Sequence, residues 1–105
     1  MHGYQLTFFT HQDRRHEGRP LADWLLDEAR RMGLAGATLV AAAEGFGAHG
    51  RRRSARFFEL ADLPVELTLV LGADEAERLL AHLKAAGVDV FYVMTPAEFG
   101  STGAR

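Results

Sequence analysis

Polar and apolar residues alternate along Tyr4 to Thr10 (YQLTFFT), with Tyr4, Leu6 and Phe8 on one side and Gln5, Thr7 and Phe9 on the other. Aromatic and β-branched residues dominate the stretch, so it predicts a first strand. His11 to Arg19 is polar and carries Gly18, and Pro20 follows where a first helical residue needs no N–H. From there Leu21, Trp24, Leu25, Ala29 and Met32 recur at helical spacing, and Gly33 supplies a left-handed stop. Gly36 to Glu44 alternates Ala37, Leu39, Ala41 and Ala43 with Thr38, Val40 and Ala42. Alanine is a weak strand former and the pattern alone leaves helix open, but the flanking glycines favour a second strand.

The next stretch, Phe46 to Ser54, reads as a loop given backbone freedom by Gly45, Gly47 and Gly50, and Ala55 to Leu60 as a short returning strand. After Pro64, Val65, Leu67, Leu69 and Leu71 alternate with Glu66, Thr68 and Val70, the cleanest strand signal in the chain. Asp74 to Ala86 opens on Asp-x-x-Glu, with Asp74 as cap and Glu77 reaching back. It lines up Ala76, Leu79, Leu80 and Leu83 as a second helix that stops at Gly87. Val88 to Thr95 predicts the fourth strand, and Pro96 to Arg105 a fraying tail.

The order is βαββαβ, and the two helix exits, RRMGLAGATLV and LKAAGVDVFYV, resemble one another. The pattern predicts a ferredoxin-like α+β fold, with two helices on one face of a four-stranded antiparallel sheet. The other face would then show Phe9, Val40, Val70, Phe91 and Val93 among threonines, more apolar surface than a monomer usually leaves in water. Closed symmetric association is the expected remedy.

Composition narrows the function classes. At 105 residues and 48% apolar, residues 1–105 are expected to form one domain with its own core. No apolar run is long enough to span a bilayer and no leader precedes the first strand, so a cytoplasmic location is expected, without membrane insertion. The absence of cysteine excludes disulfides, thiolate nucleophiles and cysteine-type zinc sites. A net charge of -2 argues against a general nucleic-acid binder. The cations are nevertheless concentrated: eleven of the twelve are arginine, and four of these are Arg51, Arg52, Arg53 and Arg56. Their planar donor forks suit phosphate or carboxylate, and backbone N–H groups around Gly45 and Gly47 can approach a ligand closely. An exposed, merely solvated arginine loop, and a hairpin exit in which Phe46 only packs, are the plainer readings of the same residues.

Gly36-Ala37-Thr38, then Glu44-Gly45-Phe46-Gly47, then Leu63-Pro64 leading a β-rich run into Gly72-Ala73-Asp74, resembles the PII superfamily of trimeric cytoplasmic signalling proteins. It is most similar to the PII-like family catalogued as domain of unknown function 190. There a segment like Gly18-Arg19-Pro20-Leu21 opens the first helix, so the likeness covers residues 4 to about 95. The resemblance implies a homotrimer in which residues 46–56 correspond to the PII T-loop. It also implies an adenine nucleotide or another small anion as effector, no required cofactor, and a protein partner such as a transporter or an enzyme. Thr38, Gly45, Phe46 and Gly47 match the pattern that lines the nucleotide cleft between subunits; Arg51, Arg52, Arg53 and Arg56 join them as candidate ligand-binding residues on the chemistry of their side chains alone. Three features depart from nucleotide-binding PII. The connection before the fourth strand is Ala85-Ala86-Gly87-Val88-Asp89 instead of a Gly/Lys-rich phosphate loop, no Arg-x-Arg follows that strand, and one extra residue separates Thr38 from the Gly-Phe-Gly.

An enzyme is not expected. Acylphosphatases of this topology need an asparagine, which the chain lacks, and no Ser or Thr stands with a base and an orienting acid. The aromatic-basic run of RNA-recognition folds is missing as well. None of His2, His11, His16, His49 and His82 shows zinc spacing, so surface histidines are the expectation. Two alternatives to a sensor stay open: a scaffolding trimer that docks an acidic or membrane-associated partner without a small ligand, and a metal-responsive protein of the same fold.

Overall fold

The computed structural model describes residues 1–41, 44–46, 52–54 and 63–103. Four strands, β1 (His2–His11), β4 (Ala37–Ala41), β7 (Pro64–Gly72) and β8 (Phe91–Glu98), form an antiparallel sheet in the order β4-β7-β1-β8. Helices α1 (Leu21–Arg31) and α2 (Ala73–Ala85) cover one face. Between them run two small ribbons, β2 (Arg15–His16) with β3 (Arg19–Pro20), and β5 (Glu44–Phe46) with β6 (Arg52–Ser54). The ferredoxin-like expectation holds.

Period-two patterning decides which side is dry. Leu6 and Phe8 of β1 and Val65, Leu67, Leu69 and Leu71 of β7 point toward the helices and are buried. They meet Leu21, Trp24, Leu25 and Ala29 of α1 and Ala76, Leu79 and Leu83 of α2 in one core. Each fully buried Leu or Phe contributes about 1.5–3 kcal/mol of transfer free energy. The two middle strands therefore hold the layers together, and β4 and β8 are edges.

The similarity of the helix exits is structural. After α1, Gly33 (φ 75°) donates to the Arg30 carbonyl at 3.0 Å and Leu34 to the Ala29 carbonyl at 3.1 Å. After α2, Gly87 (φ 74°) donates to Lys84 at 3.1 Å and Val88 to Leu83 at 3.0 Å. Both are Schellman closures, in which a glycine takes the left-handed position and an apolar residue follows it back onto the helix.

Several boundaries differ from expectation, each for a local reason. The expected Gly36–Glu44 strand is divided: β4 stops at Ala41, and Glu44 belongs to a separate ribbon. Phe46 and Arg52 to Ser54, expected in a loop, are paired strand residues, while the returning strand expected at Ala55 to Leu60 lies outside the described residues. Pro20 flanks α1 in an extended conformation (ψ 131°) and is not its first residue. The cap of α2 is two residues earlier than Asp74 and Glu77, since Glu75 Oε1 accepts the Gly72 N–H at 2.9 Å. The Schellman turn ties Ala86, Gly87 and Val88 back to α2, and β8 begins at Phe91 and not Val88. It also runs past Thr95: Pro96 lies opposite Tyr4, and the Phe99 N–H reaches the Met1 carbonyl at 2.9 Å. An edge strand accepts a proline, and the part of the expected tail from Pro96 to Phe99 is thus tied to the sheet.

Candidate functional site

The open face of the sheet is set by register. Thr38, Thr68, Thr7 and Val93 lie opposite one another in one row across four strands, and Thr7 Oγ1 and Thr68 Oγ1 are 3.1 Å apart. In the adjacent row stand Val40, Glu66, Phe9 and Phe91, and Phe9 and Phe91 form a tilted aromatic pair 5.8 Å apart. All five apolar residues expected on this face are exposed there, from Phe9 at 36% to Phe91 at 69%. Glu66 was not part of that expectation, and it places a carboxylate in the middle of the patch.

Of the eight candidate ligand-binding residues, the structure describes five. Thr38 is exposed on edge strand β4. In the β5–β6 ribbon, Gly45 is opposite Arg53 and Phe46 opposite Arg52, so candidates from two separate stretches of the sequence are neighbours along one backbone ribbon. Gly47, Arg51 and Arg56 lie outside the described residues. Two open depressions flank the helices, and none of the described residues that line them is a candidate. One, about 380 Å³, lies between α2 and β8 over Phe8, Leu83, Val88 and Tyr92, with Lys84 and Asp89 at its rim. The other, about 400 Å³, lies beside β4 and the start of α1, with Leu39, Ala41, Val65 and Asp23 in its walls.

The segment between β1 and α1 is built, where the sequence indicated only a polar loop. Glu17 (φ 53°) and Gly18 (φ 77°) both take positive φ at the tip of the β2–β3 ribbon, as a type I′ hairpin turn requires. Three ties hold this ribbon down. The Leu21 N–H donates to the Arg14 carbonyl at 2.7 Å, the Arg14 guanidinium reaches the Asp89 carbonyl, and the Arg19 guanidinium pairs with Asp27 on α1. Arg19 holds the Asp27 carboxyl below its ordinary value, through their hydrogen bond first and their charge second. A depressed carboxylate contributes stability above its unfolded pKa and loses it as pH falls through the folded value. The Arg19–Asp27 tie is therefore expected to persist through neutral pH and to open only below about pH 4. In an NMR titration Arg19→Gln should move the Asp27 midpoint upward; an unchanged midpoint would refute the pairing.

A second cluster went unrecognised in the sequence. Glu28 of α1 is buried although charged; its Oε1 is 2.7 Å from His82 Nε2 on α2, and its Oε2 is 3.1 Å from Arg31. The His82 ring lies parallel to the Trp24 indole, 7° between planes and 6.3 Å between centroids, while His16 meets the same indole edge-on at 4.3 Å. These two histidines, expected at the surface, thus pack around one tryptophan. The signal available was Glu28 itself, which falls at helical spacing within the stripe formed by Leu21, Trp24, Leu25 and Met32. Among the described residues, no group of three or more His, Asp or Glu side chains is placed to hold a metal ion, and no helix is long and apolar enough to cross a membrane.

Residues 3–99 match the model of the DUF190 family (uncharacterized ACR, COG1993). The chain belongs to this family. A UPF0166 protein of Aquifex aeolicus (strain VF5) is 34% identical over 80 residues, which cover 75% of this chain and 76% of that protein. Among solved structures, the DUF190 chain superposes on CPII of Thiomonas intermedia K12, a nitrogen regulatory PII-like protein bound to ADP, AMP and bicarbonate, with TM-score 0.70. That match has 15% identity and covers 96% of this chain and 91% of CPII. A PII-like signalling protein of Thermus thermophilus gives TM-score 0.67 at 19% identity, with 92% and 88% covered. At these identities the likeness establishes a PII-like fold.

Proposed function

We propose that this DUF190 protein is a non-enzymatic, cytoplasmic regulatory protein of the PII-like kind. In this reading it assembles as a homotrimer through the open face of its sheet, senses a small anionic metabolite at clefts between subunits, and signals to a partner protein through residues 46–56. The observation that carries the proposal is the β5–β6 ribbon. It brings Gly45 and Phe46 against Arg53 and Arg52 at the exit of edge strand β4, in a fold shared with a PII-like protein whose structure contains ADP, AMP and bicarbonate. Glycine backbone and guanidinium forks are complementary to a phosphate or carboxylate. An adenine nucleotide is the first candidate. The apolar rows around Phe9 and Phe91 support association, since a face of that size in water favours a partner surface.

Calorimetry against adenine nucleotides, bicarbonate and other common anions tests the ligand. Heat is expected with at least one of them at about 0.1 mM protein, a concentration that detects affinities of that order. Arg52→Ala with Arg53→Ala should weaken this binding without lowering Tm. Silence with the whole panel would favour the scaffolding trimer, which the α2–β8 connection also supports: residues 86–90 contain a single glycine and no lysine, with Asp89 facing solvent.

A further inference from the structure

The Glu28–His82 pair has no part in the ribbon or the open face, and its chemistry is specific. Glu28 is buried at 6% exposure, anchored between Leu25 and Ala29 on the core side of α1, so its carboxylate cannot swing into solvent. A carboxylate only accepts, so across the 2.7 Å contact His82 Nε2 is the donor, and in the neutral ring the lone pair is then on Nδ1. Parallel packing on Trp24 fixes the plane of the ring, and the His82 side chain is 40% exposed. An imidazole held by a buried acid through one nitrogen, in a side chain that is two-fifths exposed, has the arrangement of a positioned nucleophile. Among the described residues, no Ser, Thr or Cys is recorded in contact with the cluster for it to serve as a base.

We propose that His82 is a phosphoryl-acceptor site, charged at Nδ1 by a small acyl phosphate. The Nδ1 lone pair forms the N–P bond as the bond from phosphorus to the acyl oxygen breaks, and the carboxylate departs with that electron pair. Nε2 keeps its proton throughout. The ring becomes cationic, and the new positive charge lies against the Glu28 carboxylate that the fold already holds in place. Arg31 forms an ion pair with the other Glu28 oxygen at 3.1 Å, and Arg78, exposed and four residues before His82 on α2, has the spacing to meet the phosphoryl oxygens from the same side of the helix.

The test is incubation of the full chain with acetyl phosphate, followed by intact-mass spectrometry before and after brief acidification, since a phosphoramidate is acid-labile. One phosphoryl group per chain is expected on the wild type, lost in acid, and absent from both His82→Ala and His82→Gln. The glutamine keeps a donor for Glu28, so it separates loss of the acceptor from loss of packing. Glu28→Gln should slow the modification about tenfold or more, as removal of an orienting partner does. His16→Ala, at the other edge of Trp24, should leave the rate unchanged. An unmodified wild type, an acid-stable adduct, or an adduct that survives His82→Gln would each overturn the proposal.

Discussion

Phe91→Asp is expected to convert the assembly to folded monomers. Phe91 is the most exposed aromatic residue of the open face, at 69%, and pairs with Phe9 across the two strands. If the face is an interface, each copy loses about 1.5–3 kcal/mol of aromatic burial and must also desolvate a carboxylate beside Glu66, which stands two strands away in the same row. In a ring of three the loss is repeated at every contact, so association should fall by about a thousandfold or more. The substitution touches no core residue, so far-UV circular dichroism should be unchanged. Light scattering reads the outcome: a variant that keeps the wild-type mass would place the interface elsewhere, and a wild type already monomeric at micromolar concentration would remove the trimer from the proposed function.

Glu66 sharpens that expectation. An apolar interface with one carboxylate per copy must give it a partner or leave it at a wetted rim, because an unpaired buried charge costs several kcal/mol. The register pairs Glu66 with Val40 on one side and Phe9 on the other, and neither can satisfy it. An interface over this row must therefore bring Glu66 a cation or leave it wetted, so the acid selects among the ways two copies could meet.

The sheet was legible in the sequence because its two middle strands alternate cleanly, and alternation fixes both strand and face. Leu67 and Leu69 inward with Thr68 and Val70 outward follow from spacing alone. The helix exits were legible for a similar reason: Gly33 and Gly87 stand at the one position where a left-handed residue closes the helix. What stayed hidden depends on contacts distant in sequence. Glu28 and His82 are 54 positions apart, and neither residue's local context names the other. The ribbon of β5 and β6 is a backbone pairing of short segments rich in glycine and arginine, residues with no strand pattern, so a loop was the natural expectation. Gly45 and Phe46, candidates by resemblance, stand opposite Arg53 and Arg52, candidates by side-chain chemistry, in the backbone register of that ribbon, whereas Thr38 is on the sheet itself.

Truncation at the neighbouring position should give the opposite signature. Phe8 and Phe9 are adjacent in β1 and face opposite ways: Phe8 is fully buried, opposite Leu67 and Tyr92, with the Tyr92 ring 6.2 Å away. Phe8→Ala removes a ring from the middle of the core, where central strands cannot collapse to fill the space, and is expected to cost about 3–5 kcal/mol. For a chain of this length that is a fall in Tm of about 15–30 °C, which approaches the whole margin of a typical domain. Phe9→Ala empties no cavity within the chain and should cost a single copy less than about 1 kcal/mol. The comparison belongs in the Phe91→Asp background, where assembly no longer adds to the apparent stability of either variant. Similar losses at the two positions would mean that the open face is packed within a single chain. A large loss at Phe8 with a small one at Phe9 separates the side of β1 that builds the fold from the side left for another surface.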